Sequence, residues 1–321
     1  MKVVFFDPFR QWDEVAAALA AFPGIAFAHP DEAGLAAALQ DAQVLVTGNR
    51  SYVAETAAVI RDHGKALRWI QFTTSGTDKA FANGLPAGVT VTNMAGMRAF
   101  SVAEQAFLLM LGLVRKIRAT ESARRHGDWA RDALIPVADN LAGKHLLIIG
   151  IGAIGQEIAR KAKAFDMRVT GVSRTDKPVP NVDRIRPRTD LMAACAEADI
   201  VLMAALYEEG ADRLLSRAAI AAMKPSAYVI NVARGALVDE EALVEALEAG
   251  RIAGAGLDVT ATEPLPAGHK LWSMPNVLLT PHIGGAGSDG IGGSIASVVT
   301  GNLRRYFAGE PLVKVVTERT P

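Results

Sequence analysis

The sequence predicts an α/β protein made of two doubly wound parallel sheets with a cleft between them. Three observations predict it. Short runs rich in β-branched and aromatic residues alternate with alanine-rich helical stretches from end to end. Those runs are apolar almost without interruption, the pattern of strands covered on both faces by helices. The alternation occurs twice, on either side of one long apolar helix, in a chain of 321 residues, an ordinary length for about two domains. Right-handed crossovers between such strands build parallel sheets.

In the first series, KVVFFD (2–7), GIAFAH (24–29), QVLVTG (43–48), LRWIQF (67–72) and VTVTN (89–93) are the strands. Helical stretches over 12–21, 32–40 and 53–61 separate them. A long helix over 98–118 follows, ending in the basic turn RKIR, whose charge suits a helix C-terminus. The second series runs through HLLIIG (145–150), RVTGVS (168–173), DIVLMAA (199–205), YVINVA (228–233), GAGLDV (254–259) and VLLTPH (277–282). The last helix, over 289–307, has no series of its own after it, so its natural place is back on the first domain. The expected division is therefore a discontinuous, flavodoxin-like domain of residues 1–98 plus 287–321, and a second domain of 99–286 that includes the linking helix. The segment GAGSDGIGGS (285–294) is glycine-rich for a helix start, which predicts a late start or a soft hinge.

Composition excludes several classes. Lys+Arg and Asp+Glu both number 34, so there is no basic surplus for nucleic acid or for an acidic membrane surface. The single cysteine, Cys195, cannot form an internal disulfide, sits in the alanine-rich LMAACAEA and reads as a buried small residue. No His, Cys and carboxylate spacing predicts a metal site. Asp7 and Pro8 interrupt the apolar start where a signal peptide would continue, and the apolar stretch 102–114 is too short to span a bilayer. The expectation is a soluble, cytoplasmic globular protein with neither nucleic-acid nor membrane partners.

After the strand HLLIIG comes Gly150-Ile151-Gly152-Ala153-Ile154-Gly155, followed by the helical run QEIARKAKAF. A bare GxGxxG is weak, but one at a strand end that opens a helix is a dinucleotide fingerprint of the Rossmann type. Gly150 permits the tight turn, Gly152 lets a pyrophosphate approach the backbone, and Gly155 lets the helix pack close to its strand. The amides around Ala153 and Ile154 and the positive helix end then hold phosphate. The next strand ends at Ser173, Arg174 and Thr175, with no carboxylate before Asp176. A carboxylate would repel a 2′-phosphate, whereas these three offer donors and a guanidinium fork. NADP(H) is the expected cofactor; NAD(H) through Asp176 stays open. Asp258 is assigned to the cofactor side of the site.

Three later strand ends carry polar groups: Arg234 in NVARGALVDEEAL, Glu263 in GLDVTATEPLP and His282 in LLTPHIGG. Carboxyl ends of parallel strands converge on the crevice where such sheets bind ligands. Together with FTTSGTD (72–78), SVAEQAFLLMLGLVR (101–115), LWSMPNVLLTPHIGG (271–285) and NLRRYFAGEPL (302–312), these motifs make the chain resemble the D-isomer-specific 2-hydroxyacid dehydrogenase family over essentially its whole length. The chemistry of the residues agrees. Reducing a 2-keto acid needs a hydride at carbon and a proton at oxygen, and imidazole changes charge near neutral pH, so His282 fits the general acid. Glu263 would bond the other ring nitrogen, orient it and favour its protonated form. Arg234 is a fixed cation for the substrate carboxylate and carbonyl.

The resemblance further implies that the loop at Ser75 and Gly76 offers backbone donors to the substrate carboxylate, and that closure of the cleft excludes water. Asn49, Arg50, Met97, Arg98 and Trp129 are pocket candidates from loop position and resemblance. It implies a twofold homodimer through the 98–118 helix, which is apolar over more than one face. Glyoxylate and hydroxypyruvate reductases in the family have this size and these motifs and often use NADPH, so a small 2-keto or 2-hydroxy acid is the expected substrate, those two first. The absence of an extension beyond Pro321 argues against the regulatory domain of many phosphoglycerate dehydrogenases, and Glu263, where the formate dehydrogenase pattern carries an amide, argues against that activity. Two other readings stay open: a phosphite-type dehydrogenase with the same three residues, and a non-catalytic dinucleotide sensor like the family's corepressors.

Overall fold

In a computed structural model, the structure describes residues 1–7, 12–20, 22–207, 213–287 and 294–316. The chain divides into two compact units, Met1–Arg98 with Ser288–Pro321, and Ala99–Gly287.

The first unit opens with β1 (Lys2–Phe6), α1 (Asp13–Leu19), β2 (Ala26–Ala28), α2 (Leu35–Leu39), β3 (Val44–Thr47), α3 (Ala54–His63), β4 (Trp69–Phe72), α4 (Asp78–Asn83) and β5 (Thr90–Thr92). Its five strands pair in parallel in the order β2-β1-β3-β4-β5. The order reverses at β1, which makes this a doubly wound sheet of the flavodoxin kind. Every residue of β3 and β4 is buried, as continuous apolar runs require. β2 departs from that expectation: it is an edge strand with Phe27 40% exposed, so only one side of GIAFAH is paired.

The second unit begins with α5 (Ala99–Val114), α6 (Ile117–Arg125) and α7 (Arg131–Leu134). The single helix expected over 98–118 is thus two helices. Lys116 between them is left-handed, at φ 58° and ψ 39°. The reason is tertiary, because Lys116 Nζ donates to the Tyr228 hydroxyl at 3.1 Å and Arg118 Nη1 donates to the Val277 carbonyl at 2.9 Å. Lys116 and Arg118 of RKIR are thus spent on the starts of two strands, while Arg115 bonds the Asp139–Asn140 loop. The unit continues with β6 (His145–Ile149), α8 (Ala153–Ala164), β7 (Arg168–Val172), β8 (Arg184–Arg186), α9 (Leu191–Glu197), β9 (Ile200–Met203), α10 (Arg217–Ala221), β10 (Tyr228–Asn231), α11 (Glu240–Glu248), β11 (Gly254–Leu257) and β12 (Val277–Leu279). Seven strands pair in parallel in the order β12-β11-β10-β9-β6-β7-β8. Two strands, β7 and β8, run outward on one side of β6 and four on the other, so the topological switch falls between β6 and β9. One core lies on each face of this sheet: Leu147, Ile149, Val201 and Val229 point into one, and Leu146, Ile148, Leu202 and Ile230 into the other, with Leu109 and Met110 of α5. Cys195 is buried in the first of these cores, and burial pushes its thiol up to about 12.

The last helix, α12 (Ile295–Ala308), belongs to the first unit and starts later than residue 289, although 288–293 lie outside the described residues. A buried polar network holds it there. Trp69 Nε1 donates to Thr92 Oγ1 at 2.7 Å, and Thr92 donates to Gln71 Oε1 at 2.7 Å. The same Gln71 oxygen accepts from Asn302 Nδ2 of α12 at 3.0 Å. Asn302 also exchanges hydrogen bonds with the Val313 backbone, and the chain then runs antiparallel beside β5 through a Thr92–Val315 bridge. Buried polar groups of this kind are costly unless fully partnered, so the network specifies where the C-terminal segment docks.

Candidate active site

The crevice above the switch point is shaped by the fingerprint. Gly150 has φ 100°, and a Cβ there would lie 2.4 Å from the Ala205 Cα at the end of β9. Only glycine fits both the turn and the contact. A Cβ on Gly155 would lie 2.1 Å from the Gly150 carbonyl oxygen, so the third glycine is what lets α8 sit on the turn. Gly152 differs: a Cβ there would meet nothing within 4 Å. It is the N-cap of α8, and no side chain caps that end. Among the described residues the Ala153 and Ile154 amides donate to no protein group, and the positive end of a twelve-residue helix lies behind them. These residues fit a dinucleotide pyrophosphate.

At the end of β7, Ser173 is half-buried, and Arg174, Thr175 and Asp176 are exposed. The Ser173 amide donates to the Arg186 carbonyl at 3.2 Å, and its hydroxyl accepts from the Thr175 amide at 3.3 Å. The hydroxyls and the guanidinium thus share one short turn beside the fingerprint strand.

Arg234, Glu263 and His282 follow the carboxyl ends of the adjacent strands β10, β11 and β12. Asn231, 1% exposed, builds the first turn: its side chain accepts from the Ala233 amide and donates to the Arg234 carbonyl, both at 3.0 Å. Arg234 Nη1 folds back on the Ala233 carbonyl at 2.8 Å. A Cβ on the next residue, Gly235, would stand 2.0 Å from the Thr260 carbonyl, so the Arg234 turn and the loop carrying Glu263 are in backbone contact.

Glu263 Oε1 accepts from the Thr260 amide at 3.2 Å, and Oε2 accepts from His282 Nδ1 at 2.6 Å. Burial alone would raise the Glu263 carboxyl; the bond and charge of His282, the Thr260 amide and the Arg234 charge outweigh it and hold it below the usual carboxylate range. The bond to Glu263 occupies Nδ1 of His282, whose side chain is 46% exposed. His282 itself has φ 54°, a left-handed conformation uncommon for any residue but glycine. Its amide is held by the Asp258 and Thr280 carbonyls at 2.8 and 3.0 Å, which keeps it there. Strain of this kind persists only where the surroundings over-determine it.

Asp258 lies at the same edge but is 3% exposed. Its carboxylate accepts from Thr280 Oγ1 at 2.6 Å, the Ile283 amide at 3.1 Å and the Gly284 amide at 2.8 Å. Gln105 of α5 donates to Thr280 Oγ1 at 2.7 Å. Thr280, Gln105 and Asn231 escaped the sequence reading. Gln105 carries a signal, being a polar residue in an otherwise apolar helix run; Thr280 and Asn231 sit inside quoted motifs without a chemistry of their own.

Ser75 and Gly76 lie in the first unit, in the loop after β4, whereas Arg234, Glu263 and His282 belong to the second. Asn93 Nδ2 donates to the Ser75 carbonyl at 2.9 Å, Ser75 Oγ to the Met94 carbonyl at 3.0 Å, and Thr74 Oγ1 to the Gly76 carbonyl at 2.8 Å. The loop is fixed through its carbonyls and hydroxyls, and among the described residues neither the Ser75 nor the Gly76 amide donates to the protein. Also among the described residues, no cluster of three His, Cys, Asp or Glu side chains could hold a metal ion, and no helix is long and apolar enough to cross a membrane.

A family model for the NAD binding domain of D-isomer specific 2-hydroxyacid dehydrogenases matches residues 107–284. The chain is 37% identical over 228 residues to a glyoxylate reductase of Thermococcus gammatolerans, covering 70% of this chain and 68% of that protein. It is 36% identical over 260 residues to a hydroxypyruvate reductase of Thermotoga maritima, covering 80% and 82%. Among solved structures, it is similar to a D-isomer specific 2-hydroxyacid dehydrogenase from Xanthobacter autotrophicus Py2 in complex with NADPH and MES, with 27% identity, a TM-score of 0.83 and 98% of each chain covered. The chain belongs to the D-isomer specific 2-hydroxyacid dehydrogenase family, and is an oxidoreductase of small 2-hydroxy and 2-keto acids that uses a nicotinamide dinucleotide.

Proposed function

We propose that the protein reduces a small 2-keto acid, glyoxylate or hydroxypyruvate first, with NADP(H), and that His282 is its general acid. The observation that carries this reading is the 2.6 Å bond between Glu263 and His282 at strand ends adjacent to Arg234, in the unit that bears the dinucleotide fingerprint. The bound nicotinamide supplies the hydride for the carbonyl carbon. His282 gives the proton to the carbonyl oxygen and takes it back in the oxidative direction. Glu263 holds the ring through Nδ1, which directs Nε2 to the reacting oxygen and stabilises the positive ring before transfer. Arg234 holds the substrate carboxylate and polarises the carbonyl. The Ser75 and Gly76 amides bind the same carboxylate, which assigns residues 1–98 plus 287–321 to substrate and 99–286 to cofactor.

The two substrate names are those borne by similar reductases. NADP(H) over NAD(H) is supported by Ser173, Arg174 and Thr175 in one turn and by the NADPH of the similar Xanthobacter structure. Asp258, with Gly150, Gly152, Ala153, Ile154 and Gly155, completes the cofactor side. A cytoplasmic homodimer is the matching assembly: Leu108, Ile117, Trp129, Ile135 and Val137 of the second unit are all more than half exposed. A monomeric mass at micromolar concentration would count against the dimer.

The test is a panel of 2-keto acids and phosphite assayed with NADPH and NADH. Turnover of glyoxylate or hydroxypyruvate with NADPH supports the reading. Turnover of phosphite alone replaces it with a phosphite dehydrogenase, and tight cofactor binding without turnover replaces it with a sensor.

A further inference from the structure

Glu263 sits in an exposed loop without regular structure, yet its carboxylate must stay on one nitrogen of one ring. The loop runs from Thr260 to His269, and α11 holds it at both ends. Glu240, the first residue of α11, turns its carboxylate onto the loop with only 16% of its side chain exposed. Its Oε2 accepts from the Ala261 amide at 2.8 Å. Its Oε1 lies 3.6 Å from His269 Nε2. His269 Nδ1 accepts from the Leu271 amide at 3.3 Å, so in the neutral ring the hydrogen is on Nε2, facing Glu240. Eight residues on, Glu248 of the same helix pairs with Lys270 at 2.9 Å.

From these contacts we infer that Glu240 is a positioning residue for the proton transfer: by holding the Ala261 amide, with His269 facing its other oxygen, it sets Glu263 against His282. Ala261 follows Thr260, whose amide is the second partner of the Glu263 carboxylate and whose carbonyl abuts Gly235. One side chain therefore fixes the backbone from which Glu263 projects, together with the turn that presents Arg234. Groups that orient a reacting side chain act through geometry, and a misplacement of about 1 Å costs about 10²-fold in rate. The inference rests on the reading of Glu263 and His282 as the proton-transfer pair.

The test is a double-mutant cycle on the full-length protein with Glu240→Ala, Glu263→Gln and both together, and with Glu240→Gln as the variant that keeps an acceptor for the Ala261 amide. Each is assayed for kcat, KM and pH–rate profile, and its His282 ring nitrogen shifts are read by NMR without cofactor, assigned by their loss in His282→Asn. E240A should lower kcat about 10-fold or more with KM within about 2-fold, move the pH profile and ring shifts toward those of E263Q, and add nothing in the E263Q background. E240Q should recover most of the rate. Should E240A not fold, Glu240→Asp, which keeps the charge and shortens the reach, takes its place in the cycle. Wild-type kcat and ring shifts in E240A, or additive losses in the double variant, overturn the inference. If E263Q itself behaves as wild type, the underlying pair assignment fails instead, which separates the two.

Discussion

Thr280 Oγ1 donates a 2.6 Å hydrogen bond to Asp258 Oδ1 and accepts one of 2.7 Å from Gln105. One hydroxyl thus joins α5, the end of β11 and the loop that presents His282. Thr280→Val keeps the shape but takes the 2.6 Å donor from the buried Asp258 Oδ1 and leaves Gln105 Nε2 only a 3.5 Å contact with that same oxygen. A hydrogen bond to a charged group is worth about 1.5–3 kcal/mol, and the Ile283 and Gly284 amides still hold the carboxylate. T280V should unfold at lower urea concentration by that amount and turn over more slowly, because the Asp258 carbonyl also holds the His282 amide at 2.8 Å. An unchanged urea midpoint with unchanged kcat would show that the hydroxyl holds nothing.

His282→Asn should bind cofactor as the wild type does and lose most of its turnover. General acid–base catalysis contributes about 10²- to 10⁴-fold, which sets the expected fall in kcat. Cofactor affinity, read by fluorescence titration, is the internal control. Near-normal keto-acid turnover in H282N refutes the assignment.

What was legible in the sequence follows from range. The central strands and the fingerprint are local patterns: an apolar run such as HLLIIG, then glycines at fixed offsets. The placement of Arg234, Glu263 and His282 at neighbouring strand ends is legible because each follows such a run. β8 was not, because its RIR has one apolar residue between two arginines. The break at Lys116 was not, because a lysine at positive φ is imposed by Tyr228, 112 residues away. Gln105 and Thr280 meet across 175 residues, a pairing no periodicity carries.

The three fingerprint glycines predict two different phenotypes. Gly155→Ala forces a Cβ to 2.1 Å from the Gly150 carbonyl oxygen, where backbone must move. Overpacking of that kind costs about 1–3 kcal/mol, so G155A should melt lower even without cofactor. Gly152→Ala has open space and a φ of −81°, so its melting temperature without cofactor should match the wild type. On the proposed dinucleotide site its methyl would stand against the pyrophosphate, and it should weaken NADPH binding. Equal melting losses in the two variants would contradict this division.

The depressed Glu263 carboxyl makes a prediction about acid. Burial pulls its pKa up, and the His282 bond and charge, the Thr260 amide and Arg234 pull it further down. A carboxyl with a lowered folded pKa contributes stability that is complete above its unfolded value, about 4.3, and disappears as pH falls through the lower folded value. Wild type should therefore exceed Glu263→Gln in urea stability at pH 6, and the gap should close on the way to pH 3. A gap that keeps its size into acid would mean that the carboxylate contributes nothing through its charge.

On the proposed NADP(H) reading, cofactor choice turns on the residues after β7. Ser173 and Thr175 share a turn with the exposed Arg174. A 2′-phosphate gains a charge-assisted bond from the guanidinium, and hydrogen bonds to charged groups are worth about 1.5–3 kcal/mol, or about 10- to 150-fold in affinity. Arg174→Ala should therefore raise KM for NADPH by a factor in that range and leave KM for NADH nearly unchanged. Ser173→Asp goes further, because a carboxylate repels the phosphate and accepts from the two ribose hydroxyls of NADH. The ratio of kcat/KM for the two cofactors should fall in R174A and reverse in S173D. If R174A lowers kcat/KM equally with both cofactors, the arginine acts on the shared pyrophosphate or on the fold, and the 2′-phosphate must be read elsewhere.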